Sequence, residues 1–376
     1  MRILLITDFS SIHVFNYISN VISKLKCECV GYHIVKDRIP ITFFDYYKNN
    51  NIKVVQGVDP EIYRSLGAIT FTKRTIRMLK QLGSFDVMHL HSVRLFVCPA
   101  IYTVRKRYSR IVITYWGSDL YRSSRLQLFM TLPILHSASE ITMITNDMAS
   151  YFKKLPWLIS RYYKKVKVFD FGNMFYSTIQ GFDKTKNNNK SDFGLNKNKI
   201  ICTIGYVWRP QMQQIKTVNV LIPFLKTLSD KVALALPVYG IEDKEYKIID
   251  QLLKDTGIEY RLYRDFMDAN TVSKFRSISD IFIHSQTTDA LSCAMLEHLY
   301  AGSIVINGGW LKYSSLDEND IYYKSFSDFE SLPNVLLQVV DNIDVEREKC
   351  INNRIKVARI SSWDYLRQYW LELYKQ

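Results

Sequence analysis

Two carboxylates, Asp289 and Glu297, stand eight residues apart in the segment QTTDALSCAMLEHLYAGSIVINGGW, Gln286 to Trp310. On a loop running into a helix, this spacing sets one acid at the helix mouth and the other about two turns in. Around Leu291, the residues Ala290, Ser292, Cys293 and Ala294 are small enough to let a ligand approach the backbone. Free N–H groups at a helix start, with the helix dipole behind them, suit a diphosphate. A carboxylate further in accepts hydrogen bonds from sugar or ribose hydroxyls. A strand over Ser303–Asn307 follows, then INGGWLKY, whose two glycines suggest a backbone that approaches something closely. This is the construction of a nucleotide-sugar site. The plainer alternative is an amphipathic helix carrying a chance pair of acids.

Three further groups of residues fit the same chemistry. Gly205 ends an apolar run and leads to Arg209 and Lys216, two cations suited to a departing diphosphate. DFSSIH, Asp8 to His13, leaves the first apolar run, with Ser10 or Ser11 as cap and His13 near a cleft floor. Asp119 in WGSD follows another run, where it could hold or activate an acceptor hydroxyl. Each also has an ordinary reading: surface cations, a core or capping histidine, a helix-capping aspartate. His89 and His91 alternate along one strand, but no third ligand stands at a convincing spacing, so no metal site is assigned. Glycine-rich dinucleotide fingerprints, P-loops, HExxH and GxSxG are absent from the sequence.

The net charge of +14 is unevenly placed. Residues 1–180 hold 25 Lys/Arg against 11 Asp/Glu, whereas residues 181–376 hold 25 of each. All of the excess therefore lies in the first half, the pattern of a domain that faces a polyanion or an anionic surface. Within it, Tyr151–Phe169 (YFKKLPWLISRYYKKVKVF) mixes six cations with six aromatics. Lys153, Lys154, Trp157, Arg161, Lys164 and Lys165 suit a lipid headgroup layer. No nucleic-acid recognition module accompanies them, and the alternative is a solvated basic face. No apolar run reaches the roughly 18–20 residues of a membrane span. Six cysteines without a CxxC pair read as reduced, in a cytosolic protein.

Positioning such groups requires strands with loops at their carboxyl ends. Buried parallel strands are predicted at Ile3–Thr7, Cys29–Ile34, Val87–His91, Ile111–Tyr115 and Ile141–Thr145, with helical patterns between them at Val14–Leu25, Phe71–Leu82 and Pro99–Arg107. After a polar Asn/Lys-rich stretch, 183–199, read as an interdomain linker or exposed loop, the alternation restarts. Strands follow at Ile200–Gly205, Val232–Pro237, Tyr260–Tyr263, Ile281–His284 and Ser303–Asn307. Helices follow at Thr217–Leu228, Glu245–Thr256, Thr271–Ile278 and Ala290–Tyr300. The expectation is an α/β protein of two doubly wound, Rossmann-like domains, 1–178 and 179–361, facing a central cleft, with a helix over 362–376 packing back on the first.

The SSIH turn, DVMHLHS, TYWGSD, VFDFGN, the GYVWRPQMQQ loop, LPVYG, SDIFIHSQTTDALSCAMLEHLYAG and INGGWLKY stand in the order of a known pattern. Over nearly its whole length the chain resembles family-four glycosyltransferases of the GT-B fold, of the bacterial surface polysaccharide, O-antigen and capsule type. The resemblance implies a retaining, metal-independent transfer from a nucleotide-diphosphate sugar to a glycan acceptor on a polyprenyl-diphosphate lipid, by a cytoplasmic enzyme peripheral at the inner membrane face. In that family a Glu-x7-Glu motif binds the donor. Asp289 replaces its first Glu, and Glu297 matches the second, the ribose-binding position. Gly205, Ala290, Leu291 and Ser292 fall in the donor region. Arg209 and Lys216 resemble the cations at the donor phosphates, and His13 and Asp119 fall where sugar and acceptor are met. The implied partners are a nucleotide sugar, a lipid-linked glycan and an anionic membrane, with no nucleic acid and no cofactor. The alternatives are a sugar-nucleotide epimerase or phosphorylase of the same architecture, and a non-catalytic basic membrane-binding scaffold.

Overall fold

The computed structural model describes all residues except 36, 62–64, 66, 184, 185 and 376, together with the side chains of 186–188. Two compact units emerge: Met1–Gly172 with Trp363–Gln376, and Asn173–Ser362.

The first unit is built on a parallel sheet of seven strands: β1 (Arg2–Thr7), β2 (Glu28–His33), β3 (Ile52–Gln56), β4 (Phe85–His91), β5 (Tyr108–Tyr115), β6 (Glu140–Met143) and β7 (Val166–Val168), in the order β3-β2-β1-β4-β5-β6-β7. Ile3 pairs with both Cys29 and Val87, so the first strand sits in mid-sheet. Its residues Ile3, Leu4, Leu5 and Ile6 are buried, as a strand covered on both faces by helices requires. β3 and β7 were not anticipated. IKVVQ alternates weakly and VKV is three residues long, and each gains strand form only by pairing with an edge already laid down.

The last helix, Trp363–Lys375, belongs to this unit. Its buried residues Trp363, Leu366, Trp370, Leu373 and Tyr374 recur at helical spacing. Trp363 Nε1 donates to Asn16 Oδ1 at 2.7 Å, and Trp370 Nε1 to the Asp170 carbonyl at 2.8 Å. Tyr374 Oη lies 2.6 Å from Tyr17 Oη and 2.5 Å from His89 Nδ1. His89 meets Thr114 Oγ1 with its other nitrogen at 2.6 Å, which makes it a satisfied core histidine. Burial pushes both His89 and His91 below the ordinary imidazole range, so they stay neutral at physiological pH.

The second unit repeats the plan with β8 (Ile200–Ile204), β9 (Val232–Pro237), β10 (Glu259–Tyr263), β11 (Ile281–His284), β12 (Ile304–Gly308) and β13 (Lys324–Phe326), all parallel, in the order β10-β9-β8-β11-β12-β13. The doubly wound architecture is thus as the strand–helix alternation predicts. The stretch 183–199, read above as a linker, is not where the chain passes between units. Lys184 and Thr185 lie outside the described residues. Lys186–Asp192 is helical, and Lys190 is buried within the second unit, its amine 2.9 Å from Asp280 Oδ2. Composition suggested a solvated loop, and a buried carboxylate on a distant segment made it structure instead. The division after Gly172 also precedes the boundary placed at 178/179.

Candidate functional site

In the second unit two loops lie side by side at the carboxyl ends of β8 and β11. The first, 205–213, leads from β8 into the helix Gln214–Leu228. It opens at Gly205 with φ +66°, and a Cβ there would come within 2.9 Å of the Gln214 side chain. Gln214 needs that space, because its Nε2 donates to the carbonyls of Ile204 at 2.9 Å and Pro237 at 3.0 Å and so ties β8 to β9. The second loop, 285–292, leads from β11 into the helix Cys293–Ala301. Several bonds latch the two together. Gln213 Nε2 donates to the Ser285 carbonyl at 2.7 Å, and Ser285 Oγ to the Met212 carbonyl at 3.0 Å. Thr217 Oγ1 meets Ser285 Oγ at 2.8 Å, and Thr287 N donates to the Gln211 carbonyl at 2.9 Å.

The helix after the second loop starts at Cys293 and not at Ala290. Ser292 caps it, its Oγ accepting from Met295 N at 3.2 Å. The helix mouth therefore lies three residues past Asp289. Serine at this position satisfies an orphan amide, whereas the Asp289 side chain points to a different donor. Tyr313 Oη donates to Asp289 Oδ2 at 3.1 Å, and His284 Nε2 lies 3.1 Å from the same tyrosine oxygen. Ala290 and Leu291 are buried, with Leu291 in the apolar cluster beneath the helix.

Glu297, one turn beyond the cap, is 4% exposed. Its Oε2 accepts from Arg276 Nε at 3.1 Å, an ion pair buried on both sides, and its Oε1 from Asn173 Nδ2 at 3.1 Å. Arg276, at the end of the helix Ala269–Ile278, also lies 3.3 Å from His298 Nε2. Each carboxylate oxygen has a second lone pair, so Glu297 can still accept from a hydroxyl. Its first partner is nevertheless a guanidinium.

The two cations are placed differently. Arg209 is exposed on extended backbone just before the turn Pro210–Met212. Lys216 lies in the first turn of its helix, with its amine 4.0 Å from the centre of the Phe329 ring. Phe329 stacks on Trp310 at 5.4 Å, and Trp310 Nε1 donates to the Gln286 carbonyl at 2.7 Å. Lys216 is thus linked, through Phe329 and Trp310, to the loop that holds Asp289. The glycines of INGGW leave room for this packing. A Cβ on Gly308 would strike the Trp310 indole at 2.5 Å, and one on Gly309 would meet the Phe326 carbonyl at 3.1 Å.

In the first unit, His13 is exposed in the first turn of the helix Ile12–Asn20, its ring 6.0 Å from that of Trp116. Asp119 lies in the short helix Ser118–Tyr121. Its Oδ1 accepts from the amides of Trp116 at 2.9 Å and Gly117 at 3.0 Å, and its Oδ2 from Val93 N at 2.8 Å. His13, Trp116 and Asp119 therefore gather at the carboxyl ends of β1 and β5. Asp119 pins two loops together through three amides, which is a positioning role. Burial lifts its carboxyl to about 6, against the pull of those N–H groups.

Of the basic–aromatic segment, Lys153, Lys154, Trp157, Arg161 and Lys164 are exposed. Lys165 differs. Its amine donates to the carbonyls of Leu135, His136 and Ala138, at 3.2, 3.0 and 2.6 Å, and so closes the end of the helix Leu132–Ser137. The Arg161 guanidinium lies over Trp157 at 5.3 Å and Tyr162 at 4.9 Å. Trp157 is 69% exposed, and the neighbouring helix Arg125–Met130 adds Leu126 at 72% and Met130 at 50%. Among the described residues no helix is long and apolar enough to cross a membrane.

Residues 2–147 match the family model described as "Glycosyl transferase 4-like". A comparison with curated proteins finds no match. Among solved structures, HepE of Anabaena, crystallised with UDP and glucose, superposes with a TM-score of 0.71 at 11% identity, over 100% of this chain and 99% of that one. A glycosyltransferase of Rickettsia africae gives a TM-score of 0.74 at 14% identity, over 100% and 97%. The sucrose-phosphate synthase of Thermosynechococcus elongatus gives 0.72 at 12%, over 100% and 98%. The fold is GT-B.

Sequence reasoning missed several residues of this GT-B chain. Arg276 carries no local signal, because it is one of two cations on its helix, beside Lys274. Tyr313 ends INGGWLKY and His284 ends the strand IFIH, so both stood in segments singled out above, without a role. Leu126 and Met130 precede the basic segment and join it only through the packing of one short helix on another.

Proposed function

We propose that this chain is a retaining glycosyltransferase that moves a sugar from a nucleotide-diphosphate donor to a glycan acceptor in the synthesis of a bacterial surface polysaccharide. The observation that carries the reading is the latched pair of loops in the second unit, which gathers Gly205, Lys216, Asp289 and the capped helix bearing Glu297 at the carboxyl edge of one sheet. Ligands of open α/β sheets bind at that edge. UDP bound to HepE of Anabaena supports a uridine diphosphate donor.

In this reading Glu297 holds the ribose and Asp289 the sugar. Arg209 and Lys216 meet the negative charge that grows on the leaving diphosphate, in place of a metal ion. The acceptor hydroxyl attacks the face from which the diphosphate departs, and its proton passes to the departing phosphate oxygen. His13 and Asp119, on the first unit, orient the acceptor. The acceptor is carried on a polyprenyl-diphosphate lipid, and the protein sits peripherally at the cytoplasmic face of the membrane. The exposed Trp157, Leu126 and Met130 beside Lys153, Lys154 and Arg161 support that placement, since aromatic and cationic side chains together suit an anionic headgroup layer.

The test combines calorimetry with single-turnover kinetics on UDP-sugars. Wild-type protein binds at least one of them. Arg209→Ala and Lys216→Ala lower turnover more than donor affinity, because the charge they meet is largest in the transition state. Full turnover in both variants, or conversion of the UDP-sugar to an epimer without acceptor, overturns the proposal.

A further inference from the structure

The acid at the first position of the donor motif is not a free carboxylate but the end of a buried chain of donors, His284 to Tyr313 to Asp289. Both links are 3.1 Å long. His284 and Tyr313 are each 1% exposed, and Asp289 is half-buried. An ionised aspartate only accepts, so the tyrosine proton is committed to Asp289 Oδ2. The tyrosine oxygen must then receive from the histidine, which fixes His284 as the neutral tautomer with its proton on Nε2. Burial drives His284 down to about 3 and Tyr313 well above its ordinary range, so neither changes charge across the working pH range. The chain is a fixed donor and not a proton switch.

We infer that Tyr313, backed by His284, is the positioning residue that turns Asp289 toward the donor sugar and makes aspartate the right length at this position. A carboxylate has about four acceptor sites, and one bond from a rigid, buried tyrosine sets the direction of the others. His284 polarises the tyrosine hydroxyl and strengthens that bond. A glutamate at 289 carries one more methylene, so its carboxylate would have to turn to keep the 3.1 Å bond from the tyrosine and would face a different direction. The inference rests on the donor reading above and deepens it, because it assigns sugar recognition, as distinct from nucleotide recognition, to this chain of three side chains.

The experiment is calorimetry of the full chain with two probes, UDP-glucose and UDP, on wild type, Tyr313→Phe, Asp289→Asn and the double variant. Tyr313→Phe weakens UDP-glucose roughly ten- to a hundredfold, the range for a lost bond to a charged group, and changes UDP less than about twofold. The double variant binds UDP-glucose no worse than Asp289→Asn alone, since Tyr313 acts only through Asp289. His284→Gln, which keeps a donor at the same reach, stays near wild type, and His284→Leu follows Tyr313→Phe. Should Tyr313→Phe fail to fold, the contrast between the two His284 variants carries the test. Equal losses on both probes, additive losses in the double variant, or an indifferent Asp289→Asn overturn the inference and leave the nucleotide site standing. Wild type that binds neither UDP nor UDP-glucose overturns the donor reading and this inference with it.

Discussion

Replacing Glu297 by alanine removes more than a hydroxyl acceptor. The carboxylate is 4% exposed and Arg276 6%, with 3.1 Å between Oε2 and Nε. Glu297→Ala leaves the guanidinium buried with its charge uncompensated, a defect that costs about 3–5 kcal/mol. Asn173 loses its acceptor as well. Against a total stability of about 5–15 kcal/mol, this is a large fraction. For a unit the size of Asn173–Ser362, each kcal/mol lowers the melting temperature by about 2–4 °C, so the fall is about 6–20 °C. Arg276→Met alone is similarly harmful, because it strands the carboxylate. The double variant Glu297→Leu with Arg276→Met replaces a buried ion pair by apolar groups and loses far less than the two single losses combined. Scanning calorimetry of the four proteins, with UDP titrated into each that folds, separates the place of Glu297 in the buried pair from the ribose contact proposed for it. If the double variant melts near wild type yet no longer binds UDP, the acid holds both the helix and the ribose. A loss below about 1 kcal/mol for Glu297→Ala, or additive losses in the double variant, refutes the argument from the buried pair.

Three further outcomes are expected. Because the folded Asp119 carboxyl sits at about 6, above its ordinary 3.8, the native state holds that proton more tightly than the unfolded chain. Its contribution to stability is therefore greatest in acid and declines as pH rises from about 4 to about 6, by roughly 1–3 kcal/mol. Urea unfolding of wild type and Asp119→Asn at both ends of that window should show their difference shrinking with pH, and a constant difference would contradict the assignment. Replacing Lys153, Lys154, Arg161 and Lys164 by glutamate releases the protein from anionic vesicles in flotation at low salt, each cation contributing about 1 kcal/mol at such a surface. Lys165 is left out because its amine closes a helix end, and Lys165→Ala should lower the melting temperature without changing flotation. Equal flotation of wild type and the quadruple variant would mark the basic face as plain solvated surface.

The two parallel sheets were legible in the sequence because their central strands are buried on both faces and read as unbroken apolar runs, a signal carried by neighbouring residues alone. The loop-to-helix form of Gln286–Trp310 was legible for a related reason. Its acids, small residues and glycines follow one another, although the helix starts at Cys293 and leaves Asp289 on the loop before it. Edge strands such as Val166–Val168 were not legible, since three residues become a strand only when Met143 and its neighbours offer a ladder. The partners of the acids were equally hidden. Arg276 reaches Glu297 from 21 residues away along the chain, Tyr313 reaches Asp289 from 24, and His284 stands 29 residues before the tyrosine that it backs. The tertiary structure likewise decided that Lys190 is buried and Lys165 is a cap, while Lys153 and Lys154 stay in solvent. A lysine's type is written in the sequence, but its dielectric surroundings and its partners are set by which segments pack over it, and in this fold those are non-local.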